Sequence, residues 1–255
     1  ATLGGALIMG TAAGVTTTTL VATNITGSSS ADVLSGSAIA DLISGGSGAD
    51  TINGNGGADS ITLGSSFDTV NFNAAATAGN AGLLNSVSYA TVADFVTGTT
   101  ATSTDFLRLS HDATYGAAAL ERLDGTDVGN NDAVLVLSAG RNQATVGAAS
   151  TANLVKISNT DLITTNLNAQ QGWAAAIGTG SITTAAAAGA GGSFAAVYYD
   201  ATNAQAVLGV ISSAAAANID SADAFTVITR VTMSATDFGN FGATNFRNFA
   251  ANAAL

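Results

Sequence analysis

Aspartates recur at nine-residue intervals, at Asp32, Asp41, Asp50, Asp59 and Asp68. Each is followed two places later by an aliphatic residue: Leu34, Ile43, Ile52, Ile61 and Val70. From Gly27 the chain divides into the nonapeptides GSSSADVLS, GSAIADLIS, GGSGADTIN, GNGGADSIT and LGSSFDTVN, numbered 1–5 below. Unit 3 fits the pattern G-G-x-G-x-D-x-U-x, with U aliphatic, at every fixed place. Low-complexity turns with capping aspartates would not keep five aspartates and five aliphatics in one register.

The period has a physical reading. Six residues form a turn and three a short strand, so two units close one coil of 18 residues. The aliphatics then point inward from alternate sides of a parallel roll. One aliphatic per turn and side cannot easily offset roughly 1–2 kcal/mol of backbone entropy per residue. Ions between the turns must make up the difference, and aspartate oxygens with backbone carbonyls suit a hard cation such as Ca2+. Units 1, 3 and 5 stack on one edge and units 2 and 4 on the other, which gives three gaps. Glycine lets the turn reach φ > 0 and aim its carbonyls inward. Ser28, Ser30, Ser37 and Ile39 depart from that pattern, and unit 5 starts with Leu63. Isoleucine suits a left-handed conformation poorly. The gap between units 3 and 5 therefore ranks first and that between units 2 and 4 last.

Charge is scarce at 9% of residues, with 17 acidic against 6 basic side chains and a net charge of −11. Clustered basic residues are absent, which speaks against a nucleic-acid partner. There is no cysteine, hence no disulfide or thiolate site, and no proline. No run of about 20 apolar residues predicts a membrane span. The start, ATLGGALIMGTAAG, lacks a basic leader and is a poor signal peptide. It reads as the start of a fragment or processed product.

Hydrophobic residues make up 47%, mostly small, with only 6% aromatic. Residues 1–26 predict one or two strands, residues 27–74 the roll and residues 75–255 a larger β-rich region. Within the last, residues 75–83 (AATAGNAGL) look like a connector, and Val87, Tyr89, Val92 and Phe95 mark a short strand or helix edge. The runs DFLRLS from Asp105, AVLVLS from Ala133, NLVKIS from Asn153, FAAVYY from Phe194, AVLGVI from Ala206 and TVITRVTM from Thr226 predict strands. Helices are expected from Leu167 to Ala176 and, as a short turn capped by Ser221, from Ser221 to Phe225. Ala185 to Ala188 is too short and too close to glycines to count. The fold class is all-β (mainly β): a short parallel β-roll followed by a β-rich C-terminal region with few short helices.

On these motifs the stretch resembles the RTX (repeats-in-toxin) β-roll of bacterial proteins exported by type I secretion. The resemblance implies calcium held between stacked turns by two carboxylates and four backbone carbonyls. Units 1 and 3 would use Gly27, Ser29 and Asp32 with Gly46, Gly48 and Asp50. Units 2 and 4 would use Gly36, Ala38 and Asp41 with Asn55, Gly57 and Asp59. Units 3 and 5 would use Gly45, Ser47 and Asp50 with Gly64, Ser66 and Asp68. Only the aspartates would contribute side chains. Residues 92–98 (VADFVTG) and the strand from Asp105 are similar to the segment that caps many such rolls, with Asp94 or Asp105 near a terminal ion. The YYD run ending at Asp200, the element around Asp237 and the nearly uncharged end from Phe246 resemble the C-terminal region of type I substrates.

No enzymatic activity is expected. The single histidine, His111, excludes an H-E-x-x-H zinc protease within this chain and lacks a G-x-S-x-G partner. Asp124, Asp127 and Asp132 read as a turn or an accessory calcium loop rather than a glycosidase pair. The composition and repeats resemble secreted surface-layer (S-layer) proteins. The implied function is a structural calcium-binding protein of the bacterial surface, assembling as a homo-oligomeric lattice or filament. A second reading is the calcium and secretion module of an exported enzyme or adhesin. A third is a carbohydrate-binding module that meets a cell-surface glycan through Trp173, Tyr198 and Tyr199, against core packing as the expected place for these rings.

Overall fold

The structure is a computed structural model. It describes residues 7–8, 24–37, 39–55, 57–72, 90–98, 104–109, 114–115, 118–119, 134–137, 154–158, 168–178, 182–183, 193–212 and 218–246. Eighteen strands and two short α-helices lie among them.

One parallel sheet contains β1 (Leu7–Ile8), β3 (Val33–Ser35), β5 (Thr51–Asn53), β7 (Thr69–Phe72) and β9 (Phe106–Leu109). Its register places Leu34 beside Ile52, Ile52 beside Val70 and Val70 beside Leu107. The opposite wall contains β2 (Asn24–Thr26), β4 (Leu42–Ser47), β6 (Ser60–Ser65) and β8 (Ala90–Ala93). There Ile25, Ile43, Ile61 and Val92 stand in one row. Both rows are buried and belong to one apolar cluster, so the 18-residue coil brings every repeat aliphatic inside. The strands β4 and β6 are longer than three residues. Gly46 pairs with Gly64 and Ser47 with Ser65, so the ladder continues into the turn.

The second wall does not end at β8. It runs on through β18 (Ala224–Thr232), β16 (Gln205–Ser212), β15 (Ser193–Asp200), β13 (Leu154–Ile157) and β12 (Val134–Leu137) as one nine-stranded sheet. β8 pairs with β18 in parallel, whereas β15, β16 and β18 pair antiparallel. One face of this sheet shares the roll's apolar cluster through Val197, Leu208, Val210 and Val231. The other face buries Val155, Ala196, Tyr198, Val207 and Val227 beneath α1 (Ala169–Ile177). Burial on both faces accounts for strands that read as continuous apolar runs. Two short antiparallel pairs complete the strands: β10 (Thr114–Tyr115) with β11 (Ala118–Ala119), and β14 (Ile182–Thr183) with β17 (Asn218–Ile219).

The helix α1 starts where expected, because Asn168 caps it and Gln171 closes a reciprocal capping box. The helix expected from Ser221 does not form. Asp220 accepts from Ala222 N and Asp223 accepts from Asp220 N, which makes a tight turn, and β18 begins at Ala224. A second helix, α2 (Ala235–Asn240), forms where the sequence pattern predicts none; Ser234 and Asp237 form its capping box. The connector 75–83, Val87, Tyr89, Ala185 to Ala188 and the end beyond Phe246 lie outside the described residues.

Candidate metal centre

Three of the five repeat aspartates use their first carboxylate oxygen to bind the turn 18 residues before them. Asp50 Oδ1 accepts from Asp32 N at 2.8 Å, Asp59 Oδ1 from Asp41 N at 2.9 Å, and Asp68 Oδ1 from Asp50 N at 2.8 Å. Asp105 extends this ladder beyond the repeats: its Oδ1 accepts from Asp68 N at 2.9 Å and its Oδ2 from Val96 N at 2.7 Å. Asp94 caps the other edge, accepting from Leu63 N and Gly64 N at 2.9 Å each. All five repeat aspartates are buried. A column of buried carboxylates is unstable by itself, since each loses hydration and repels its neighbours.

The second oxygens divide the units into two groups. Asp50 Oδ2, Asp59 Oδ2 and Asp68 Oδ2 are buried and have no hydrogen-bond partner among the described residues. Orphaned carboxylate oxygens of this kind suit a cation. In units 1 and 2 a serine serves the same atom. Ser28 donates to Asp32 Oδ2 from its N at 2.5 Å and its Oγ at 2.9 Å. Ser37 does so to Asp41 Oδ2 at 2.6 and 2.9 Å.

Turn conformation follows the same division. Gly46 and Gly48, Asn55 and Gly57, and Gly64 and Ser66 all have positive φ, at positions 2 and 4 of units 3, 4 and 5. Such backbone turns successive carbonyls toward one side. At position 1, a Cβ added to Gly45 would lie 2.6 Å from Asp50 Oδ2 and against the Leu63 carbonyl. Glycine there keeps open a cradle walled by oxygens of two successive turns.

The residues present therefore fit a divalent cation where units 3 and 5 stack. Gly45, Ser47, Asp50, Gly64, Ser66 and Asp68 would hold it, and the ion would supply the positive charge this ladder lacks. Gly27, Ser29 and Asp32, and Gly36 and Asp41 opposite Asn55, Gly57 and Asp59, stack in the same 18-residue register, but Asp32 and Asp41 Oδ2 are already served by serine; Ala38 lies outside the described residues. No group of three or more metal-ligating side chains occurs among the described residues. Carboxylates come two to a gap, so a cation there would need further oxygens, for which the inward-turned carbonyls are placed.

Stacked glycine turns joined by a carboxylate ladder define a metal-binding β-roll. Residues 35–70 match the RTX calcium-binding nonapeptide repeat, in four copies. These repeats bind Ca2+ and are typical of extracellular proteins exported by type I secretion. The chain matches none of the curated proteins. No helix among the described residues is long and apolar enough to cross a membrane.

Trp173, Tyr198 and Tyr199 are interior, so these rings pack in the core and do not face a glycan. Trp173 stacks on Phe225 at 5.5 Å and donates to Asp220 O, and Tyr199 OH donates to Met233 O. His111, Asp124, Asp127 and Asp132 lie outside the described residues.

Burial pushes Asp59 and Asp68 up to about 7, against a partial lowering by the N–H groups they accept from. Between the ordinary carboxylate value of 3.8 and about 7, the folded turns without calcium thus hold more protons than the unfolded chain. Their stability falls as pH rises through that window. Calcium displaces those protons, so its affinity rises over the same window. Calcium titrations followed by circular dichroism should show midpoints that fall from pH 5 to pH 7 and level off above about 8. A midpoint independent of pH would contradict the shifted carboxyls.

Proposed function

We propose that this chain is a structural extracellular protein, the C-terminal part of a bacterial surface-layer or similar secreted matrix protein. On this reading it leaves the cell by type I secretion, then folds and assembles into a homo-oligomeric lattice or filament on meeting calcium. It performs no catalytic step. The observation that carries the reading is the shared sheet. Strand β8 of the roll pairs with β18, and one apolar cluster spans both parts, so ordering the turns templates the β-rich remainder.

The energetics suit a switch. Sites with dissociation constants of about 10⁻⁴–10⁻³ M, in about 1 mM calcium, each stabilise by only ~0.4–1.4 kcal/mol. Coupled through one sheet these small terms sum, whereas micromolar calcium leaves the chain unfolded and threadable. The scarcity of charge, at 9%, also suits close packing of copies in a lattice.

The test is to dilute unfolded protein into buffer with either 2 mM calcium or a chelator (on the order of the extracellular range) and image both by electron microscopy. Sheets or filaments in calcium alone are expected. Folded monomers in calcium would overturn the assembly reading and favour a calcium and secretion module serving an exported enzyme or adhesin.

A further inference from the structure

We propose that units 1 and 2 are turns closed by serine instead of calcium, so that the roll takes calcium only from unit 3 onward. This deepens the calcium reading above and rests on it. Within each of units 1–3, the position-1 glycine faces the unit's own aspartate Oδ2 and the position-1 carbonyl of the unit 18 residues on. The atoms are Asp32 Oδ2 with Gly45 O, Asp41 Oδ2 with Gly54 O, and Asp50 Oδ2 with Leu63 O. These three seats are built alike and differ in what serves the carboxylate. Asp50 Oδ2 has no donor, whereas Asp32 Oδ2 and Asp41 Oδ2 each receive an N–H and a hydroxyl from Ser28 or Ser37.

A cation cannot share that oxygen cheaply with two donors whose hydrogens point at it. Admitting calcium requires Ser28 or Ser37 to turn its N–H away, which is what φ > 0 does at Gly46 and Gly64. A serine must leave its favoured conformation to follow. The serines are further locked from position 4: Ser28 Oγ accepts from Ser30 N at 3.1 Å and Ser37 Oγ from Ile39 N at 3.3 Å. In the gap between units 2 and 4 a second oxygen is also taken, since Asn55 Nδ2 donates to Gly36 O at 2.7 Å. The first turns are thus satisfied without an ion and give the ion-dependent turns an ordered edge on which to stack.

The sequence supplies its own control. Ser28→Gly with Ser30→Gly converts the turn of unit 1, GSSSAD, into GGSGAD, the turn of unit 3. Bound calcium per chain should be counted at saturation by equilibrium dialysis and elemental analysis, with circular dichroism confirming folding. The double variant is expected to bind one ion more than the wild type. In the wild-type background Asp32→Asn should leave the count unchanged and Asp50→Asn should lower it. An unchanged count in a folded double variant would overturn the proposal. Should that variant not fold, a count lowered by Asp32→Asn would overturn it and an unchanged count would support it. A wild type that binds no calcium would instead sink the calcium reading itself.

Discussion

Asp50→Ala is expected to raise the calcium concentration at half-folding at least tenfold, while Asp94→Ala shifts it by no more than about threefold. Asp50 has two tasks. Its Oδ1 holds the buried N–H of Asp32, and its Oδ2 is an orphan facing the gap between units 3 and 5. Truncation leaves that N–H unpaired at about 1–3 kcal/mol and removes an ion ligand as well. Asp94 is exposed, so water replaces it on Leu63 N and Gly64 N at small cost. Circular dichroism during calcium titration reads both effects, as a cooperative gain of β signal. Magnesium should not substitute, because it dehydrates reluctantly and demands a tighter octahedron than stacked carbonyls form. Equal shifts from the two substitutions would remove Asp50 from the binding gap.

The roll was legible because its information is periodic. Aspartate at position 6 and an aliphatic at position 8 fix register, inward face and stacking partner together, and Ile43 and Ile61 meet at the predicted 18-residue offset. The long apolar runs were legible for a related reason: a strand covered on both faces has no alternation to misread, as in LVKI of β13. Asp105 was recognisable only as part of a capping segment. Its place atop the ladder depends on the chain after β7 returning to the same sheet, which no local pattern encodes. The Ser221 turn misled because serine caps helices and turns alike. Asp220 and Asp223, hydrogen-bonding to nearby backbone, decided in favour of the turn. The serine clamps of units 1 and 2 were visible as departures from glycine, but their partner atom was not.

Nor does the sequence announce Lys156, the chain's only lysine, whose pattern neighbours Val155 and Ile157 are buried. The structure buries it as well, on β13, with Nζ donating to Phe238 O at 2.6 Å, Gly239 O at 3.1 Å and Phe241 O at 2.6 Å. These carbonyls lie at the end of α2, where a helix runs short of its own N–H donors and where a cation meets the negative end of its dipole. The ammonium also lies 4.7 Å from the Phe238 ring centroid. Burial pushes its pKa down to about 8, so desolvation cancels part of the gain. Lys156→Met keeps the length and apolar stem but takes the ammonium from all three carbonyls, leaving Phe238 O only the N–H of Phe241 at 3.2 Å. The expected loss is about 2–4 kcal/mol, the bare carbonyls outweighing the relieved desolvation. Because Phe238, Phe241 and Phe246 belong to the cluster shared with the roll, the loss should also raise the calcium needed for folding. Denaturant unfolding at saturating calcium, compared with Ser234→Ala, supplies the scale: that variant removes only the exposed cap of α2 and should cost about 1 kcal/mol. A Lys156→Met protein as stable as the Ser234→Ala one would show that the buried ammonium contributes no more than a surface cap.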